Sequence, residues 1–484
     1  MKNNIRLLAL ILSLLALSSC GSGSNTPTVT DAQGDTTQDE TTEERISDNL
    51  PEKNYGGYEF TMFIRDDDVL ASDMYVDEAD GDIMNDAIYA RNSRVSERFG
   101  VNFTVFRRSG DVDGGFAKNT ILAGEDAYDI VVCHARTISS FAHNDYLLEW
   151  NTELPYIDLD KPWWNQDARE NLSVAGKLYT CAGDISYQNL GAADAMLFNK
   201  QLFEDMKIND IYDTVRSGKW TFDLFSKYVL DGSADLDGDQ QINIAADRLG
   251  YVTSQWVGPI QVLYSGGQRI CTKDENDELV LSLNTERTVE IFDKFFALAD
   301  SGSVNIVIDG NNSVNTKAFV ENRALFLDQN IKYLNNLRDM QADFGIIPWP
   351  KFDETYDKYY SNVDAGCNMI GVPKTATDPE RTSIILEALC ADGHYNVIPT
   401  YYEVALQTKY TRDDDSVQML DLIRDGRVFD AGYFYSNNDF SYEINSIGRF
   451  LANEADHNFS SFYAKYEKTA KELLVKINEI YRDR

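Results

Sequence analysis

The chain has 484 residues, 43% of them hydrophobic and 12% aromatic, which excludes a mostly disordered protein and leaves room for two or three domains. Its 44 basic and 79 acidic residues give a net charge of −35, which repels phosphate backbones and argues against nucleic acid as a partner. Apart from Cys20, the cysteines are Cys133, Cys181, Cys271, Cys367 and Cys390, too widely spaced for a disulfide scaffold or a CxxC metal site. Buried free thiols are expected, with one long-range bridge as the alternative.

Lys2 and Arg6 precede an apolar run from Leu7 to Leu17 that is too short to span a bilayer. Residues 1–19 therefore read as a secretory signal. The run closes on Leu17-Ser18-Ser19-Cys20, which resembles the lipobox of bacterial lipoproteins. That resemblance implies cleavage before Cys20, lipid on its thiol, and a protein held on the outer side of the cell membrane. Residues 20–54 are Gly-, Ser-, Thr- and acid-rich, the composition of a flexible, self-repelling tether.

Alternation over Tyr58–Ile64 predicts a strand. A helix follows, with Met84, Ile88, Val95 and Phe99 on one face, and Gly100 stops it. Val101–Phe106 reads as a strand, Phe116–Leu122 as a short helix, and Tyr128–Cys133 as a buried parallel strand. Strands alternating with helices predict an α/β fold with a parallel sheet. Further on, Gly176–Tyr187 reads as paired short strands, and Asn199–Met206 as a helix. Trp220-Thr221-Phe222-Asp223 opens another helix, with Thr221 as its N-cap. Glu286–Leu298, Ser383–Leu389 and Ser460–Tyr481 carry helical periodicity, and no repeat of fixed period is present.

Several blocks, in order, resemble the family 1 extracellular solute-binding proteins, the lipid-anchored receptors of bacterial ABC importers. They include Asn85-Asp86-Ala87-Ile88-Tyr89-Ala90-Arg91-Asn92, Lys161-Pro162-Trp163-Trp164-Asn165, Trp220-Thr221-Phe222-Asp223 and Phe344-Gly345-Ile346-Ile347-Pro348-Trp349-Pro350-Lys351. The resemblance implies a type II periplasmic-binding-protein-like fold, two α/β lobes joined by hinge strands around an interlobe cleft. On that pattern, lobe 1 takes 55–180 plus about 316–365, and lobe 2 takes 181–315 plus about 366–484. Crossings are expected near Tyr179–Asp184, Val304–Thr316 and Val363–Met369. The implied partners are a small solute, permease subunits and the membrane. A monomer with no required cofactor is expected.

A sugar cleft needs flat aromatic faces and a few well-placed polar groups. The candidates are Trp163, Trp164, Trp256 and Tyr187 for the first, and Asp184, Asp328, Gln329 and Asp364 for the second. For each, the alternative is an ordinary core aromatic or a solvated carboxylate. Asp235, Asp237, Asp239, Gln241, Asn243 and Asp247 follow the oxygen-ligand rhythm of a calcium loop. Two departures count against it: Gln240 stands at the glycine position, and Asp247 comes one residue late. A structural Ca²⁺ and a solvated acidic turn both remain open.

No HExxH, P-loop, GxGxxG or GxSxG pattern is present, and the four histidines share no helical spacing. A non-catalytic receptor for a solute, expected to be a carbohydrate, fits best. The alternatives are a secreted polysaccharide-acting enzyme and a surface glycan-binding protein, with peptides or other polar solutes as the competing ligand class. Replacing Cys20 by Ser is expected to free the protein from membranes while leaving solute binding intact. Membrane fractionation followed by a binding assay on the soluble fraction checks both halves.

Overall fold

A computed structural model describes residues 45–67, 71, 73–308, 310–337, 340–402, 414–435, 451–453 and 457–484. The signal segment and Cys20 lie outside the described residues. The chain divides into Met1–Ile46 and Ser47–Arg484, and every element named below belongs to the second unit. Among the described residues, no helix is long and apolar enough to cross a membrane.

The first sheet begins with β1 (Tyr58–Ile64), whose Phe60, Met62, Phe63 and Ile64 are fully buried. Helix α1 (Ile83–Phe99) starts where the Asp82 carboxylate accepts from the Met84 and Asn85 N–H groups, and ends at Gly100 with φ 61°. It delivers the chain to β2 (Val101–Phe106), parallel to β1. On the other side of β1 runs β3 (Ile130–His134), also parallel, and it leads into α2 (Ala135–His143). The fourth strand comes from far along the chain. Strand β9 (Asn368–Gly371) pairs antiparallel with β3, giving the order β9-β3-β1-β2. Helix α6 (Pro379–Asp392), capped by Asp378, then packs against α1.

The second sheet has the order β8-β4-β7-β5-β6. Its strands are β4 (Asp194–Asn199), β5 (Leu249–Ser254), β6 (Val304–Val307), β7 (Ala324–Asn330) and β8 (Phe344–Ile347). Pairs β5/β7 and β5/β6 are parallel, whereas β4/β7 and β8/β4 are antiparallel. The sheet is therefore mixed, not purely parallel. Helix α3 (Phe222–Gly232) covers β5, and Thr221 caps it as its sequence predicts. Helices α4 (Glu286–Ala299) and α5 (Ser313–Val320) flank β6 in the chain.

Strand pairing corrects the expected partition. Strand β7 hydrogen-bonds to β4 and β5, and β8 to β4, so the stretch 316–365 supplies the second sheet, while β9 returns to the first. The region Val304–Thr316 stays with the second sheet as β6 and the start of α5. Segments 181–193 and 363–370 run antiparallel between the two sheets, bridged at Cys181 with Ile370 and at Ala193 with Val363. These single bridges replace the paired strands expected over 176–187. The expected tether also ends early: Leu50 is buried, Asp48 pairs with Arg98, and Lys161 donates to the Ser47 carbonyl at 2.9 Å. The last helix, α7 (Phe459–Arg482), ties distant parts together. Its Asn478 closes both backbone bonds of Leu279, and Tyr481 meets Tyr179 ring to ring at 5.2 Å.

Trp163 and Trp164 are core residues, against the expectation that one would face a ligand. Both are fully buried, and both indole N–H groups donate to Glu387 of α6, at 2.8 and 2.9 Å. Close packing fixes this arrangement, since a Cβ on Gly183 would stand 2.6 Å from the Trp164 ring. Burial pushes the Glu387 carboxyl up to about 7, with the two indole bonds acting against it. The folded state thus holds this proton more tightly than the unfolded chain does. Its stabilising effect is complete below about pH 4 and is lost as pH rises through 7. Glu387→Gln cannot ionise, so its unfolding free energy should fall less than the wild type's between pH 5 and 8. At pH 5 the variant should be less stable by about 1–3 kcal/mol, because one indole N–H loses its acceptor. Urea unfolding at both pH values tests this.

Candidate ligand-binding site

Parallel strands β5 and β7 end side by side, and a cavity of about 650 Å³ opens at their carboxyl ends. That is where ligands bind in open α/β sheets, because loops diverge there and leave a crevice. Ser254 ends β5, Asp328, Gln329 and Asn330 end β7, and all four line the cavity. Trp256 and Val257, just past β5, form one wall. Asn315, Thr316 and Val320 of α5 form another, with Tyr333 and Asp364 completing the rim.

Asp328 is the best-fixed group of the floor. It is 3% exposed, and its Oδ2 accepts from the Tyr251 hydroxyl at 2.5 Å and from the Trp349 indole at 3.2 Å. Its other oxygen, Oδ1, has no hydrogen-bond partner among the described residues, and the same holds for Gln329 Nε2 and Ser254 Oγ. Three buried polar atoms without partners in one cavity are expensive to leave unmade, roughly 1–3 kcal/mol each. Burial pushes the Asp328 carboxyl up to about 7, with the nearby Thr253 hydroxyl and the Tyr251 and Trp349 bonds acting against it.

The neighbouring charges are arranged around it. Asp194, fully buried at the start of β4, accepts from Asn330 of β7 and from Asn362 Nδ2 at 3.0 Å. Burial holds its carboxyl well above the usual range. Asp364 pairs with Lys332 at 3.9 Å; although burial works against it, that cation leads in keeping its carboxyl below the usual range. His134, at the end of β3, is driven down to about 3 by burial and by Arg65 and Arg136, so it is neutral at physiological pH. Asn315 bonds the Thr253 carbonyl at 2.7 Å, which anchors α5 to the end of β5.

Of the residues singled out from sequence, the structure brings Trp256, Asp328, Gln329 and Asp364 to this cavity. It does not bring Trp163 or Trp164, which belong to the core. Tyr187 is buried against Tyr401, with ring centroids 4.5 Å apart, and Asp184 bonds His394 Nδ1 at 2.6 Å. Neither lines the cavity. Sequence reasoning missed Ser254, Asn315, Asn330 and Tyr333. Asn330 was within reach, because Asp328-Gln329-Asn330 is a polar run closing an apolar strand.

Four of the six residues singled out in the acidic loop come together. Carboxylate oxygens of Asp235, Asp237, Asp239 and Asp247 lie within 4.8 Å of one another. Gln240, at the glycine position, takes the left-handed conformation with φ 66°, so the sharp turn forms without glycine. Asp247 reaches the cluster despite its offset, held by the N–H groups of Leu236 and Asn243 at 2.8 and 2.9 Å. Those donors keep its carboxyl below the usual range. Asn243 instead turns inward, its Oδ1 accepting from Ala245 and Ala246 N–H and its Nδ2 donating to Asp247. Hard oxygen donors at this spacing suit Ca²⁺.

No family model and no curated protein sequence matches the chain. Solved structures do match its fold. A cyclo/maltodextrin-binding protein complexed with maltotetraose aligns at TM-score 0.55 and 12% identity, over 88% of this chain and 96% of that one. UspC of M. tuberculosis aligns at 0.54 and 12%, over 87% and 100%. The GacH receptor of Streptomyces glaucescens, solved unliganded and with acarbose, aligns at 0.52 and 12%, over 88% and 98%. The chain thus has the two-lobed α/β fold of maltose-binding-type solute-binding proteins.

Proposed function

We propose that the protein is a non-catalytic receptor that captures a carbohydrate in the cavity at the ends of β5 and β7. The observation that carries this is the set of unpartnered buried polar atoms, Ser254 Oγ, Asp328 Oδ1 and Gln329 Nε2, in the cavity that Trp256 also lines. Sugar hydroxyls both donate and accept, so they can meet all three, while an indole face suits the C–H side of a pyranose. Structural neighbours that bind sugars lend support. On this reading, lipid at Cys20 holds the receptor outside the membrane, and ABC permease subunits take up its solute. The acidic loop is proposed to hold a structural Ca²⁺ through Asp235, Asp237, Asp239 and Asp247, with the Gln241 carbonyl within the same turn.

Thermal unfolding of the mature protein with glucose, maltose and maltotetraose tests the ligand class. At a hundredfold excess over its dissociation constant, a ligand should stabilise the fold by about 2.7 kcal/mol. Stabilisation by peptides and by no sugar would overturn it, and cleavage of a sugar would overturn the non-catalytic assignment. Trp256→Ala should weaken the sugar affinity at least tenfold, about 1.4 kcal/mol, measured by calorimetry. Millimolar Ca²⁺ should raise the melting temperature, and Asp239→Asn should abolish that rise. An equal rise in the variant would sink the calcium assignment.

A further inference from the structure

The floor of the cavity depends on residues that do not themselves line it. Tyr251 and Trp349 are fully buried and pack ring against ring, with centroids 6.0 Å apart, behind β5 and β7. Phe225 of α3 closes on both, at 5.1 and 5.8 Å. Neither polar tip has freedom to move. Both are spent on a single atom, Asp328 Oδ2. Two donors on an aromatic base fix one oxygen of this carboxylate and leave the other without a partner among the described residues. Asp328 Oδ1 is the orphan, and Asp328 lines the cavity.

We propose that Tyr251 and Trp349 are positioning residues that clamp Asp328 Oδ2, so that Oδ1 accepts from a ligand hydroxyl while Gln329 Nε2 donates to an adjacent ligand oxygen. This inference rests on the carbohydrate reading of the cavity. It assigns specificity to a ligand edge with a free hydroxyl beside an acceptor oxygen. A methyl ether at that hydroxyl cannot donate, and it would leave Oδ1 buried and unmade. Sites built to bond a hydroxyl reject the analogue lacking it far more strongly than apolar pockets reject a missing methylene.

The clamp has an electrostatic consequence that a purely structural pair would lack. Both bonds favour the ionised carboxyl, as does the nearby Thr253 hydroxyl, whereas burial opposes it. The titratable groups facing Asp328 are Tyr251 on β5, Asp194 on β4, and Asp364 with Lys332 beyond the end of β7; Lys317 reaches the cavity from α5. Removing the Tyr251 hydroxyl removes a bond that favours the charged form, so the Asp328 proton should come off at higher pH. A protonated Asp328 accepts less well from a ligand hydroxyl, so affinity for a neutral sugar should rise with pH through 7.

The test has two arms. In the ligand-free arm, tryptophan fluorescence of the wild type, Tyr251→Phe, Trp349→Phe and Asp328→Asn is followed from pH 5 to 9. The Trp349 indole bonds the titrating carboxyl, so the wild type should show a transition near pH 7 that Asp328→Asn lacks. Tyr251→Phe should show it at higher pH. An unmoved midpoint in Tyr251→Phe overturns the clamp, even if Trp349→Phe fails to fold. In the ligand arm, maltotetraose is titrated calorimetrically at pH 6, 7 and 8.5. Tyr251→Phe should bind about tenfold more weakly than the wild type at pH 7 and recover at 8.5, and Asp328→Asn should show no pH dependence. If maltotetraose binds both proteins equally at every pH, the clamp fails while the carbohydrate reading stands. If no neutral sugar binds the wild type but the fluorescence midpoints move as stated, the carbohydrate reading fails while the clamp stands.

Discussion

The carboxyl of Asp194 is the tie on which the rest of the site depends. It sits where the chain first enters the second sheet, and it reaches two other segments at once. Asn330 closes β7 onto it, and Asn362, on the segment returning toward the first sheet, donates to its other oxygen. Backbone bonds repeat the triangle: Ile331 N–H donates to the Ala193 carbonyl, and Asp364 N–H to that of Ala192. An ionised carboxylate at this depth would be very costly without a paired cation. Burial holds the group well above the usual range, with the Asn362 bond and the Lys332 charge acting against it, and both of its oxygens accept from asparagine side chains.

Pinning the end of β7 in this way decides where its polar residues go. Strand side chains alternate, yet Asp328, Gln329 and Asn330 all line one cavity because it opens at the end of the strand and not on one face of the sheet. Behind them, the rings of Phe225, Tyr251, Phe326 and Trp349 form a close-packed base that cannot yield to satisfy the orphaned atoms. The unmet hydrogen-bonding capacity of the floor is therefore built in before any solute arrives. On the proposed reading, binding would cost less ordering here than in a soft site.

What the sequence disclosed follows from how local each signal is. Helix caps at Thr221 and Gly100 were legible because their partners lie within a few residues. Asp328 and Gln329 were legible because an apolar run ends there. The two indoles of Trp163 and Trp164 were misleading because an aromatic facing a cleft and one facing a core look alike in sequence. Their acceptor, Glu387, lies more than two hundred residues away. The lobe partition failed for a similar reason: β8 and β9 join their sheets through antiparallel, non-local pairs, and no periodicity announces such a partner. Ser254 carried no signal, being a small polar residue at the close of a buried strand.

The acidic loop occupies the opposite end of the same two strands. Asp247 lies two residues before β5, and Arg323, one residue before β7, donates to the carbonyls of Ile244 and Asp247. The cavity opens at the far ends of those strands. Strand β5 has 6 residues, so at about 3.3 Å per residue the loop and the cavity are separated by roughly 20 Å. A cation in the loop would thus be too distant to touch a solute, and across that span ordinary ionic strength screens most of its field where solvent intervenes. Its leverage is mechanical: it would fix the amino ends of β5 and β7, the two strands whose carboxyl ends carry Ser254, Asp328 and Gln329. On the proposed reading, calcium would therefore act on the stability of the sheet and hardly at all on the choice of solute.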